Sequence, residues 1–311
     1  MNERPPDFER RLEELKAEAL RHGKVAGVPG YFGLPMLKKP VWTWEIPVYF
    51  FIGGMSGMSA VIALASFFSG DLRLCRAAMW LAAAGAMVSP ILLTLDLGRP
   101  RLFLNMLRIF KPQSPMSVGA WVLTFFGALA VPGALLTEWH WHQLMQGGEG
   151  LPGILLLAVA GLTAFFGAVL ATYTGVLLAV TAIPAWNSHR ILLPVHFGSA
   201  ALGSAAAALQ LGGFSLASLR AISLGMAVVE TVLAALLFLR RNPRTDGPLH
   251  LGRSGALLLA AEILTGPIAL VLFLSLPPAF GSLAFMAGSL ISRLGWVAVG
   301  RASAADVRAT V

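Results

Sequence analysis

The sequence predicts an all-α integral membrane protein of about eight transmembrane helices. Three observations carry that prediction. First, 57% of the 311 residues are hydrophobic and only 12% are charged, about half the charge of an ordinary soluble domain. Second, the apolar residues come in long uninterrupted runs. A run of about 20 such residues crosses a bilayer as a helix, because a helix satisfies its own backbone donors and acceptors. Third, the basic residues collect at the ends of those runs and in the connections between them, as membrane topology requires.

The elements read in order as follows. Residues 1–30 are a polar arm. Phe8, Leu12, Leu15 and Leu20 recur near one face at helical spacing after Pro5 and Pro6, so the arm reads as a short amphipathic helix ending near Gly23. It either lies on lipid headgroups or docks a partner. Gly27, Pro29 and Gly30 make a joint to the first span. No secretory signal peptide is visible, since the first apolar run is too long for one. Eight apolar segments then follow, at 46–68, 74–96, 117–138, 152–181, 191–211, 217–239, 254–276 and 280–300, with a polar tail over 301–311. The fourth is long enough to be tilted or to project past the bilayer. Most connections are short, which makes neighbours antiparallel. Small residues four apart, Gly53 with Gly57 and Gly167 with Ala171, allow helices to approach closely.

Eight crossings put both termini on one side of the membrane, here side A. Of the 23 Lys and Arg residues, 19 fall on side A. Side B has Arg73, Arg76 and Arg220, and Arg293 lies inside the last segment. The positive-inside rule therefore places side A, with both termini, in the cytoplasm. The same placement accounts for the net charge of +8 through topology and anionic lipid rather than nucleic acid.

Several chemistries are excluded. The single cysteine, Cys75, rules out an internal disulfide, an iron–sulfur cluster and a thiolate zinc site. Only His196 lies clearly within a span, whereas a transmembrane haem needs facing histidines. No P-loop, zinc-protease motif or glycine-rich nucleotide fingerprint occurs. The chain is expected to hold no haem and no redox centre of its own, and it shows no complete catalytic constellation.

Ionisable groups at membrane depth cost roughly 2.5–3.5 kcal/mol each near a helix centre, so they point to function. Glu45 opens the first segment on side A and Asp96 closes the second there. Tyr173 lies about two-thirds along the fourth. Asn187, His189 and Arg190 fill the short connection to the fifth, and His196 is one to two turns inside it. Glu230, Glu262 and Arg293 also fall in the A half of their segments. They form either a buried ion-pair cluster that fixes packing, or a proton path or ligand contact. His196 reads more readily as a packing histidine than as a ligand. His140 and His142, beside Trp139 and Trp141 on side B, read as an interfacial belt. Asp96 with Arg99 and Arg101 reads equally as a loop salt bridge. The B half is nearly devoid of ionisable residues inside helices, which argues against a transporter with access from both sides.

Four ordered stretches resemble the NrfD-like, polysulfide reductase membrane-subunit family. Residues 31–54, YFGLPMLKKPVWTWEIPVYFFIGG, resemble its approach to helix 1. Residues 95–103, LDLGRPRLF, resemble its signature after helix 2. Residues 111–121, KPQSPMSVGAW, resemble its approach to helix 3. Tyr173-Thr-Gly-Val-Leu-Leu, then Pro184-Ala-Trp-Asn, resemble its helix 4 and following turn. The likeness covers about 31–200; the rest matches in hydropathy only.

The resemblance implies two four-helix bundles, the first over 31–190 with the quinone pocket and the second over 191–300. It implies a membrane anchor that exchanges electrons between a quinone, menaquinone or ubiquinone, and a docked ferredoxin-like iron–sulfur subunit. A further catalytic subunit, often molybdopterin-dependent, completes such complexes in the respiratory chain of the inner membrane. It implies that Tyr173 contacts the quinone head group. Glu45, Asp96, Trp44 and Asn187 are the other expected contacts. Glu45, Asp96, Glu230, Glu262 and Arg293 are the expected proton carriers. Lys38, Lys39, Arg99, Arg101, Arg108 and Lys111 are the expected docking residues. Where some relatives have histidine or asparagine at the start of helix 1, this chain has Glu45. Many relatives also meet their partner outside the cytoplasm, whereas the charge count here places side A inside. The rival reading is a secondary transporter or proton-conducting protein built on Glu230, Glu262 and Arg293; a passive anchor that binds no quinone is the third.

Overall fold

A computed structural model describes Glu14 and residues 37–97, 105, 107–239, 246–250 and 252–305. Apart from Glu14, the arm over 1–30 lies outside the described residues, as do Arg99 and Arg101. Eight helices are long and apolar enough to cross a membrane: α1 (Glu45–Phe68), α2 (Leu72–Asp96), α3 (Pro115–Met145), α4 (Gly153–Ala179), α5 (Leu192–Leu211), α6 (Ala217–Leu239), α7 (Gly252–Ser275) and α8 (Pro278–Ala305). No strand occurs among the described residues. The chain is a multi-pass, all-α membrane protein, as its apolar runs predict.

Local chemistry sets several helix ends. Asp71 caps α2 by accepting from Leu74 N at 3.0 Å. Ser114 caps α3 through Ser117 N, and Pro115 occupies its first turn, where a missing N–H costs nothing. Within α7, residues Leu264–Ile268 form a π-helical turn around Pro267. The wider turn accommodates a residue that cannot donate to the helical ladder. The third helix runs to Met145, well past the expected end at 138. Its projecting end is held on side B by Glu138, which receives Trp80 Nε1 at 2.8 Å and faces Arg76 at 3.3 Å. His140 and His142 therefore stand on an ordered helix. His142 lies 3.2 Å from Glu138, and His140 Nδ1 accepts from Leu151 N at 2.9 Å.

Helices α1 to α4 close one ring, each packing on the next and α4 returning to α1; α5 to α8 close a second. The seam is made by α1 and α4 against α5, and α1 against α8. Within the first ring, Gly57 of α1 meets Gly167 of α4 backbone to backbone, so that a Cβ on either would overlap the other's carbonyl. Small residues are what allow this approach.

On side A the seam is aromatic. A one-turn helix, Pro184–Asn187, follows α4. Its Trp186 is fully buried, stacks on Trp42 with ring centroids 5.5 Å apart, and donates through Nε1 to Trp296 O of α8 at 2.8 Å. Ala185 N donates to Ser303 Oγ at 3.2 Å. Phe50 of α1 packs on Phe197 of α5. These contacts join the bundles at the face where the polar groups gather.

Candidate functional site

The first polar group sits at the side-A rim of the first bundle. Glu45 begins α1 and Asp96 ends α2; the antiparallel packing of these helices brings the two carboxylates to one face. Thr43 links them. Its backbone N donates to Asp96 Oδ1 at 3.2 Å, its hydroxyl lies 3.3 Å from the same oxygen, and it donates to Glu45 Oε2. Both carboxylates are half-buried and Thr43 is exposed. One turn further along α1 is Tyr49, which is 3% exposed and has no hydrogen-bond partner for its hydroxyl among the described residues.

Tyr173 of α4 is likewise buried, at 8% exposure. It reaches across from α4 to donate to Pro115 O at the start of α3. Gly119 makes room for it, since a Cβ there would collide with the phenol ring. Two tyrosines and two carboxylates thus gather where α1 to α4 meet side A.

Other predicted contacts fall differently. Trp44 precedes α1 and is 59% exposed, as an interfacial tryptophan would be. The side-chain amide of Asn187 donates to Ala179 O at 3.2 Å and Thr181 O at 3.4 Å. It closes the carbonyl end of α4, which commits it to structure. Lys38 and Lys39 are exposed just before α1, and Arg108 and Lys111 are exposed before α3.

The second polar group is internal to the second bundle. His196 of α5, Glu230 of α6 and Glu262 of α7 are each no more than 2% exposed. Nδ1 of His196 lies 2.6 Å from Glu230 Oε2. Its Nε2 lies 2.9 Å from Ser292 Oγ and 3.4 Å from Glu262 Oε1. Ser292 donates to Glu262 Oε1 at 2.7 Å, and Ser199 donates to the second oxygen of Glu230. Four helices therefore contribute to one chain, Glu230–His196–Ser292–Glu262. A proton placed on either ring nitrogen or on either carboxyl still finds an acceptor, which a relay requires. One ligand atom from each of the three ionisable residues lies within 4.8 Å of the others, so a cation fits them by distance. Their hydrogen bonds, however, run to opposite sides of the ring.

Arg293 does not pair as an ion-pair cluster would have it. Its guanidinium donates to Phe197 O at 3.0 Å and Ser289 O at 3.2 Å, and lies 4.6 Å above the Phe197 ring. It makes no salt bridge with either glutamate among the described residues. Histidine, not arginine, joins the two carboxylates.

The family model described as polysulphide reductase, NrfD, matches residues 34–259. The chain belongs to the NrfD family. A search of curated proteins gave no match. In this NrfD-family chain the match takes in all of the first bundle, together with His196 and Glu230. It ends before Glu262, Ser292 and Arg293.

Sequence reasoning passed over Thr43, Tyr49, Ser199 and Ser292. Tyr49 left a readable signal, because it stands four residues from Glu45 on the same helix face. The serines left none, since a serine inside a helix ordinarily bonds its own backbone. Thr43 bonds a residue 53 positions away, which no local pattern announces.

Proposed function

We propose that this chain is the quinone-reactive membrane anchor of an iron–sulfur oxidoreductase complex. It would pass electrons between a membrane quinone, menaquinone or ubiquinone, and a ferredoxin-like subunit docked on side A, with a further, molybdopterin-type catalytic subunit beyond. Membership of the NrfD family supports the class. The observation that carries the site is the pair of buried tyrosines on the side-A ends of the first bundle, Tyr49 one turn along α1 from Glu45 and Tyr173 against the start of α3, together with the Glu45–Thr43–Asp96 rim. Quinone reduction consumes two electrons and two protons, so the head group needs hydrogen-bond donors at its carbonyls and acids within reach. Tyr49 would supply a phenolic donor in an apolar setting, and Tyr173 would do so by exchanging its bond to Pro115 O for one to the quinone. Glu45 and Asp96 would relay protons between the head group and the aqueous edge, and the apolar helix faces suit an isoprenoid tail. Exposed Lys38 and Lys39, just before α1, would lie on the docking face. The excess of basic residues on side A supports an inner-membrane location with both termini in the cytoplasm.

Purification from native membranes in mild detergent, with subunits and lipids identified by mass spectrometry, tests this reading. An iron–sulfur protein and a bound quinone are expected. In that complex Tyr173→Phe lowers quinone turnover about tenfold or more, as loss of one transition-state hydrogen bond does, while subunit stoichiometry is unchanged. A lone, folded chain with neither partner nor quinone overturns it.

A second reading is favoured by one observation, the Glu230–His196–Ser292–Glu262 chain. It suits a protein that conducts protons through its second bundle. Reconstituted vesicles with a pH-sensitive dye in their lumen would show proton flux abolished by Glu230→Gln. Equal flux in the variant removes this reading.

A further inference from the structure

Beyond the quinone reading, a recess on side A calls for a ligand of its own. The stretch from 97 to 137 has four basic residues and no acidic one. Two of those basic residues, Arg108 and Lys111, line a cavity of about 580 Å³ at the foot of α3, together with Asn105, Ile109, Ser114, Met116 and Ser117. Neither cation has a carboxylate partner among the described residues. Two exposed cations lining one recess together attract an anion.

The recess is built rather than incidental. Ser117 ties its wall together: its hydroxyl receives Lys111 N at 3.0 Å and donates to Ile109 O at 3.4 Å. Phe110 is fixed edge-on against Trp121 of α3, with centroids 6.1 Å apart. The cationic lining adjoins apolar surface. Ile109 is 60% exposed, Phe110 54% and Met116 57%, all where α3 enters the membrane. A free anion needs only the cations, and an acidic protein surface has no use for three apolar side chains at the lipid boundary. An amphiphile with an anionic head uses both.

We propose that this recess binds the phosphate of an anionic phospholipid, held by Arg108 and Lys111, with Asn105 and Ser114 as polar neighbours and the acyl chains lying along Ile109, Phe110 and Met116. Basic pockets beside membrane helices recognise such head groups through charge. The bound lipid would brace the first turn of α3, whose Pro115 carbonyl receives Tyr173.

The test compares the intact protein, with the subunits that accompany it, as wild type and as R108Q/K111Q. Thermal unfolding is followed against added phosphatidylglycerol, phosphatidylcholine or inorganic phosphate, and tightly held lipids are quantified by native mass spectrometry. Phosphatidylglycerol is expected to raise the wild-type melting temperature while phosphatidylcholine does not, and about one anionic lipid is retained per chain. Removing two surface cations should weaken retention about thirtyfold. Should the double variant fail to assemble, the single variant Lys111→Gln and the wild-type titration carry the same test. Equal stabilisation by both lipids overturns the proposal. Full competition by millimolar inorganic phosphate overturns it in favour of a free-anion site. Unchanged lipid retention with loss of a partner subunit overturns it in favour of a protein contact.

Discussion

The two bundles are made of the same material, apolar helices with small residues at their crossings, yet they handle polar groups in opposite ways. In the first bundle the carboxylates sit at the rim. Glu45 and Asp96 are half-buried and joined through an exposed threonine. In the second they lie inside, where Glu230, His196 and Glu262 are almost wholly enclosed and must satisfy one another. Groups at a rim exchange partners with water and substrate at small cost. Enclosed groups have no other partner to turn to, so losing one strands the rest. The first arrangement suits a site that a molecule visits. The second suits a permanent network, whether it serves packing or proton transfer.

The contrast predicts a ranking of effects. The largest belongs to the interior: His196→Leu leaves two buried carboxylates facing each other and should destabilise the protein by about 3–5 kcal/mol. Thermal unfolding of the purified complex measures it; a melting temperature within error of wild type would mean that the network is not self-satisfying. Next comes Gly119→Ala, which drives a methyl group into the Tyr173 ring. Overpacking of this kind costs about 1–3 kcal/mol, and quinone turnover per assembled complex should fall with it. Normal turnover would separate Tyr173 from the chemistry. Asp96→Asn and Glu45→Gln should slow quinone turnover more than they disturb assembly. Loss of the complex from membranes, with normal activity per complex remaining, would make both carboxylates structural. The smallest effect is expected on side B, where Glu138→Gln removes a partly exposed ion pair with Arg76 worth about 0.2–1 kcal/mol. A larger loss there would show that the projecting end of α3 carries more of the stability than its exposure suggests.

Much of this was legible in the sequence, for reasons that can be named. Glu45, Asp96, Tyr173, Glu230 and Glu262 stood out because ionisable or phenolic groups are rare amid apolar runs. Their depth followed from the rise per residue of a helix. What did not follow was their pairing. Arg293 was the obvious partner for the two glutamates by charge, yet it turns to main-chain carbonyls and an aromatic face. His196, which read as a packing residue, holds the centre. Asn187 looked like a site residue because it is polar and close to the family's turn, but its amide closes α4.

The sequence alone determined the eight crossings, the all-α class, the side on which basic residues gather and the family. These depend on composition and local order along one chain direction, because a membrane span must be apolar and internally hydrogen-bonded. The tertiary structure alone settles that Thr43 bridges Glu45 to Asp96, that Tyr173 meets the start of α3, and that one histidine joins carboxylates from two other helices. Those contacts depend on the rotation of each helix about its axis and on how closely it meets its neighbours. Both are set by packing at points such as Gly57 against Gly167 and Trp186 against Trp42, and residues far apart in the chain meet only once that packing is fixed.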